Sequence, residues 1–323
     1  MSLLAPRPGV LPTLGLVVHP SKPVGDSVAT IVRWAAAHGV RMLGRQQDQQ
    51  RIGAAPDSGP AVGAVPDAEF VDLVDGVIAL GGDGTMLGAM RLVVGRPVPV
   101  LGVNHGNLGF LVEVTPAALE ASLAQLVSGD FTVEPHGCLV AEAHGADLAT
   151  RYGFNDVVLA RLGRAGAVSV DLAVNGQQYG YYKCDALVVS TPSGSTAYNY
   201  AAGGPVVSPS AAAIVVTPVA PMAGIGRAVV LGAGDQVDLH VAGESTRAAV
   251  DVDGTASGEL APGDSLSAAL REDAALVVRL SPGAHAGRSR VKLSLLDLPL
   301  RRDQLLDLIP ENLRQRIAGN PPV

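Results

Sequence analysis

Three apolar runs, residues 13–18 (TLGLVV), 76–80 (GVIAL) and 98–104 (VPVLGVN), each stand beside a segment with helical spacing, and that alternation leaves few folds open to the first 130 residues. A strand without polar interruption is buried on both faces, which is the condition of a strand inside a parallel sheet. Parallel neighbours need crossover connections, and helices supply them. The helical segments run from about Asp26 to His38, over 66–75, over 85–94 and over 115–129. Asp26 or Ser27 is available as N-cap of the first, and Gly39 stands at its end. Residues 44–66, rich in Gln, Gly, Pro and Asp, predict an irregular or mobile connection. The expectation is an α/β domain over residues 1–130, its parallel sheet covered by helices on both faces.

After Phe131 the texture changes to short β-branched runs, among them 131–144, 148–161, 168–176, 185–191, 212–219, 236–242, 245–254 and 275–280. Turn signals separate many of them. This predicts a β-rich second domain over residues 131–281, with Asp253-Gly254 as a hairpin turn. Residues 282–323 recover helical spacing and form a partly helical tail that either returns to the first domain or frays.

Composition narrows the function classes. Hydrophobic residues make up 48% and aromatics 3%, so the core is built from Ala, Val and Leu. Net charge is −7 and no run of like charge exists, which excludes a nucleic-acid-binding face. Cys138 and Cys184 lie far apart in apolar stretches, so neither a disulfide framework nor a cysteine zinc site is expected. Seven histidines show no ligand spacing, and no protein-held metal is expected. No signal peptide and no apolar run of about 20 residues is found, which predicts a cytoplasmic chain without a membrane span.

The chemistry gathers in four segments. Gly81-Gly82-Asp83-Gly84-Thr85 joins a buried strand to a helix. Its glycines admit a ligand close to the backbone, and the helix N-terminus turns unsatisfied N–H groups towards phosphate. Asp83 repels such an anion, unless it accepts a hydroxyl proton or helps hold a metal. The chain has no Gly-Lys dipeptide, which excludes a Walker-A loop, and Leu87 breaks G-x-G-x-x-G. Residues 104–110 (NHGNLGF) follow a strand end, where ligands collect in α/β sheets. Asn155-Asp156 is a polar pair opening a strand, unless a further argument makes it the pair that meets an adenine edge and ribose hydroxyls. Residues 190–198 (STPSGSTAY) offer hydroxyl and backbone donors and the Tyr198 ring, with Gly203-Gly204-Pro205 just beyond.

In this order, GGDGT at 81–85, GVNHGNLGFL at 102–111, Asn155-Asp156, STPSGSTAY at 190–198 and GGP at 203–205 resemble the NAD kinase (ATP/polyphosphate–NAD kinase) family. The resemblance implies a Rossmann-like N-terminal sheet and a β-rich C-terminal domain with NAD between them, in homodimers or homotetramers. It implies Asp83 as proton acceptor for the NAD 2′-hydroxyl, with Gly84 in the same contact. Gly81, Gly82, Gly84 and Thr85 form the phosphate-donor loop. Asn155 and Asp156 match the pair on the adenosine, and Thr196, Ala197 and Tyr198 the adenine pocket. Asp185 matches the acid near the nicotinamide end, and Lys183 a cation present in some members. Asp156 is shorter than the usual Glu, Ala186 replaces a Gly, and Ala201 stands where a Ser often contacts ligand; the tail lacks the family's aromatic ending.

The implied activity is in-line transfer from ATP or polyphosphate to NAD, with Mg²⁺ accompanying the nucleotide and no membrane or nucleic-acid partner. A lipid kinase with the same loop is the first rival, but no basic amphipathic helix or lipid anchor supports it. The second is a paralogue that senses NAD by binding alone. A hydrolase built on Ser195 lacks both a G-x-S-x-G elbow and a His partner.

Overall fold

The computed structural model describes residues 11–53, 62–106, 109–163, 165–281 and 283. Its first strands are β1 (Thr13–Val18), β2 (Arg41–Arg45), β3 (Gly63–Val65), β4 (Gly76–Gly81) and β5 (Pro99–Asn104). They pair in parallel in the order β5-β4-β1-β2-β3. The helices are α1 (Gly25–His38), α2 (Gln49–Ile52), α3 (Asp67–Leu73), α4 (Asp83–Leu92) and α5 (Leu119–Ser128). Two core clusters flank this sheet: Leu14, Leu16, Ile31, Ile78 and Leu123 belong to one, Val17, Phe70, Val77, Met86 and Met90 to the other. Alternate residues of one strand thus enter opposite cores, which is why these strands carry no polar face.

The remaining strands are β6 (Thr132–His144), β7 (Arg151–Gly153), β8 (Asp156–Arg161), β9 (Val168–Val174), β10 (Gln177–Cys184) and β11 (Ala186–Ser190). They continue with β12 (Ala213–Val219), β13 (Ala223–Gly224), β14 (Val229–Gly232), β15 (Gln236–Val241), β16 (Ala248–Val252), β17 (Thr255–Leu260) and β18 (Ser265–Arg279). One short helical turn, α6 (Tyr198–Ala201), lies among them. A six-stranded antiparallel sheet runs β14-β12-β11-β8-β16-β17. It packs on β9, β10 and β15 through a core that holds Leu159, Leu172, Tyr182, Val189, Ile214 and Leu239.

β18 joins the two regions. It pairs antiparallel with β15 and β6, then bends at an irregularity between Arg271 and Ala275. Beyond the bend, Leu276 and Val277 pair in parallel with Pro99 and Val100 of β5. One twelve-stranded sheet therefore passes from the α/β region into the β-rich region.

Several expectations need correction. Val24, not Asp26 or Ser27, occupies the N-cap of α1, without a side-chain cap; Asp26 stands in the first turn, where its charge complements the helix dipole. Gly39 does end the helix, in the left-handed conformation. The 44–66 segment is not irregular throughout, because β3 and α2 lie within it and Ile52 is buried against the sheet; 54–61 fall outside the described residues. Residues 148–161 make two strands rather than one, parted at Phe154-Asn155. The sequence pattern does not reveal β2, β10, β13, β14 or β17. The predicted tail 282–323, apart from residue 283, lies outside the described residues. Both cysteines are free and buried, and burial pushes their thiols up to about 12, which leaves them unreactive.

Candidate active site

The strand order changes direction between β1 and β4, and a cavity of about 580 Å³ opens there, at the carboxyl ends of the strands. Ligands of open α/β sheets collect at such a switch point, because the loops on either side diverge. Val18 and His19 line it from β1, Arg45 from β2, and Gly82, Asp83, Gly84 and Thr85 from the end of β4. Gly82 is extended and caps α4, so Asp83 is the first helical residue and the loop is largely a helix N-terminus.

That placement gives the Asp83 carboxylate its partners. The Asp83 carboxylate accepts hydrogen bonds from the backbone N–H of Phe110 (2.8 Å) and of Leu111 (3.1 Å). A charge on the first turn also opposes the helix dipole favourably, by about 0.3–1 kcal/mol. Gly109 is required by close approach, since a β-carbon there would collide with Asp83 Oδ1. The 102–111 segment thus orients the Asp83 carboxylate, a role its sequence position alone does not disclose. It is braced in turn by Arg279, buried at the end of β18, which donates to the Leu111 carbonyl (2.8 Å) and to Glu134 (2.7 Å). His136 lies 2.9 Å from the other oxygen of Glu134. Burial alone would raise the Glu134 carboxyl; the His136 hydrogen bond and the Arg279 charge outweigh it and hold the group down at about 2.

The C-terminal motifs form a second cluster. Antiparallel register places Ser190 of β11 opposite Asp156 of β8. Thr191 then binds the backbone of both preceding residues: its N–H donates to Asn155 O (2.9 Å) and its hydroxyl to Phe154 O (2.6 Å). Residues 193–196 form a 3-10 turn and Tyr198–Ala201 a helical turn, so the expected Ser/Thr/Gly loop is helical in large part. Buried Asn199 fixes it, donating to Ser195 O and Pro205 O and accepting from the Thr217 hydroxyl. Tyr198 is left exposed. Burial pushes the Asp156 carboxyl up to about 7, the Asp253 charge adds to this, and the Tyr198 backbone opposes it with a hydrogen bond.

Sequence reading assigned Asp253 only to a hairpin turn. It does form that turn, with Asp253 and Gly254 both at positive φ between β16 and β17. Its buried carboxylate also accepts the N–H groups of Asn155 (2.7 Å), Phe154 (3.1 Å) and Asp156 (3.2 Å), and an ion pair from Arg91 of α4 (2.6 Å). The Asn155-Asp156 pair is thereby tied to the helix that carries Asp83. No motif signals this role; only the fold brings turn, strand break and helix together.

Two expected residues stand apart. Asp185 is paired with Arg161 Nε (2.7 Å), and Lys183 is exposed on β10 beside β13. Among the described residues, no hydrogen bond or ion pair joins either to the Asp83 loop. Ala201, in α6, is exposed as well.

Residues 14–131 match the ATP-NAD kinase N-terminal domain and residues 154–280 the ATP-NAD kinase C-terminal domain. The chain belongs to the NAD kinase family. Among its curated relatives are NAD kinase 1 of Streptomyces avermitilis, 35% identical with 88% of each chain covered, and NAD kinase of Symbiobacterium thermophilum, 34% identical over 84% of this chain and 95% of the relative. A crystal structure of yeast NADH kinase complexed with NADH superposes at TM-score 0.79 and 20% identity, over 91% of this chain and 90% of that one. An Archaeoglobus fulgidus NAD kinase in complex with ATP superposes at 0.63 and 21%, over 88% and 98%. These two likenesses concern the fold: an α/β N-terminal region with a parallel sheet, and a β-rich C-terminal region.

Two measurements test this geometry. Asp253→Ala strands Arg91 and three backbone amides, so urea titration should show a loss of roughly 3 kcal/mol; a loss under about 0.5 kcal/mol would mean the amides find other partners. Asp156 binds its proton more tightly folded than unfolded, where it titrates near 3.8, so its contribution to stability falls as pH rises through about 7. Asp156→Asn should therefore raise the melting temperature at about pH 8 more than at about pH 5. An equal change at both would refute the buried charge.

Proposed function

We propose that this chain transfers the terminal phosphoryl group of ATP to the 2′-hydroxyl of the adenosine ribose of NAD, giving NADP. The observation that carries the proposal is Asp83: a carboxylate oriented by two backbone amides, on the wall of the cavity at the sheet's switch point. Asp83 takes the proton of the 2′-hydroxyl as the ribose oxygen attacks the terminal phosphorus. The bond from that phosphorus to the bridging oxygen breaks, and ADP leaves in line. Gly81, Gly82, Gly84 and Thr85 hold the donor phosphates at the α4 N-terminus, so positioning and fixed dipoles supply most of the rate. Inorganic polyphosphate presents the same terminal group and is the alternative donor.

Asn155 and Asp156 bind the adenosine, with Thr196, Ala197 and Tyr198 beside it. Asp185 is assigned to the nicotinamide end of NAD, with Lys183 and Ala201 as further contacts to the ligand. Among the described residues no three His, Cys, Asp or Glu side chains gather to hold a metal. Mg²⁺ accompanies the nucleotide as its magnesium complex. No helix among the described residues is long and apolar enough to cross a membrane. The working form is a cytoplasmic homo-oligomer whose α/β domain spans residues 1–130 and whose β-rich domain spans 131–281.

Formation of NADP from NAD and MgATP by the purified chain tests the activity. Asp83→Asn should lower turnover roughly 10²–10⁴-fold while NAD still binds. Asn offers one acceptor where Asp offers two, so its amide nitrogen would face an N–H; a melting curve run alongside separates lost catalysis from a loosened loop. Wild-type turnover in this variant would remove Asp83 as the base. NAD binding without turnover in the unmodified chain would favour a sensor instead.

A further inference from the structure

The chain has three lysines, and one of them, Lys22, lines the cavity beside Asp83 from the connection between β1 and α1. Its ammonium lies between the two loops of the site. A β-carbon on Gly106 would collide with Lys22 Nζ, and one on Gly82 would stand 3.6 Å from it. Gly106 thus leaves room for a cation as well as for a turn.

Among the described residues, no carboxylate comes within ion-pair distance of that ammonium. Arg45, on the same cavity wall, is committed to Asp48 at 2.7 Å and to Asp67 at 3.7 Å. Arg51 donates to the His19 carbonyl. Among the described residues, no carboxylate pairs with Lys22. The turn that presents it is held by His19, whose Nδ1 accepts the N–H groups of Ser21 and Lys22 at 3.1 Å each. An accepting Nδ1 belongs to a neutral imidazole or to one protonated only at Nε2. Burial, and then the charges of Lys22 and Arg51, hold His19 below its ordinary range; burial, and then Lys22, do the same for His105. Both shifts favour the neutral form of these imidazoles. In the same wall the hydroxyl of Thr85, buried to more than nine-tenths, has no hydrogen-bond partner. A cation and a buried hydroxyl, both without a partner among the described residues, share one cavity with a helix N-terminus, and together they describe a site completed by a phosphate.

We propose that Lys22 binds the terminal phosphate of the phosphoryl donor and accompanies it through transfer. This rests on the reading of the cavity as the donor site, and it names the cation that acts there. Lys22 forms and breaks no covalent bond; its charge offsets that of the group in flight. Because an ammonium reads charge rather than a nucleoside, it serves ATP and inorganic polyphosphate alike.

The full-length chain supports two tests. In steady state, Lys22→Ala should raise KM for MgATP and the inhibition constant of inorganic tripolyphosphate roughly 10- to 100-fold. NAD affinity by calorimetry should stay within about twofold. Lys22→Arg should recover most of the loss, and Gly106→Ala should reproduce it, since the new methyl takes the ammonium's place. An active Lys22→Ala variant with unchanged KM for MgATP overturns the proposal. Absent turnover in the unmodified chain, or full turnover in Asp83→Asn, would instead overturn the reading beneath it. The second test needs no variant and no turnover. Acetylation of the unmodified chain, followed by mass spectrometry, should show Lys22 protected by tripolyphosphate but not by NAD, with the labelling of Lys183 unchanged by tripolyphosphate. Equal labelling of Lys22 with and without tripolyphosphate overturns the proposal.

Discussion

The carboxylate of Asp253 is where the two halves of the site are held in register, and much of the remaining geometry follows from it. Three consecutive N–H groups at the break between β7 and β8 converge on it, and Arg91 reaches it from α4. Backbone donors left in a buried strand break would each cost about 1–3 kcal/mol. One anion satisfies all three and the guanidinium as well. The break can therefore exist, and Asn155 and Asp156 emerge from it in a fixed orientation to the Asp83 helix. A hairpin turn at the far end of β16 thus works as the hinge pin of the site.

The same region concentrates charge that burial disfavours. Asp156 is buried beside Asp253, and like charge close by raises the carboxyl further. Glu134, by contrast, is buried with His136 and Arg279 and is held ionised. The difference is one of partners. Glu134 is structural and has its cation at hand, whereas the charge that acts most on Asp156 is that of another carboxylate, Asp253. A group kept where its ionised form is penalised marks a place shaped for something other than stability.

Much of this could be read from the chain. The alternation of apolar runs and helical spacing gave the parallel sheet, and the four motif segments located Asp83, the Asn155-Asp156 pair and the 190–198 turn. What escaped has identifiable causes. β10 reads as polar because Gln177, Gln178, Tyr179 and Tyr181 face outwards near a sheet edge, with Tyr182 and Cys184 the only residues of the strand fully buried. The cap of α1 was misjudged because Asp26 fits the first turn as well as the cap, and propensity does not separate the two. Asp253, Arg91 and Lys22 carry no local signature; their roles arise from contacts across many residues, 162 of them between Arg91 and Asp253. Lys183 shows the reverse, a cation that motif position brings forward and that the fold leaves exposed beside a sheet edge.

The long strand β18 has a consequence for how the chain reaches this state. Its last residues lie beside β5, so the edge of the α/β sheet is covered by a segment some 177 residues later in the sequence, as the pairing of Pro99 with Leu276 shows. During synthesis, the first 130 residues emerge with that edge bare and with Arg279 not yet present to brace the Leu111 carbonyl. An exposed parallel edge is slow to satisfy and prone to mispairing. The orientation of Asp83 is thus among the last features to mature, set only when nearly the whole β-rich region has left the ribosome.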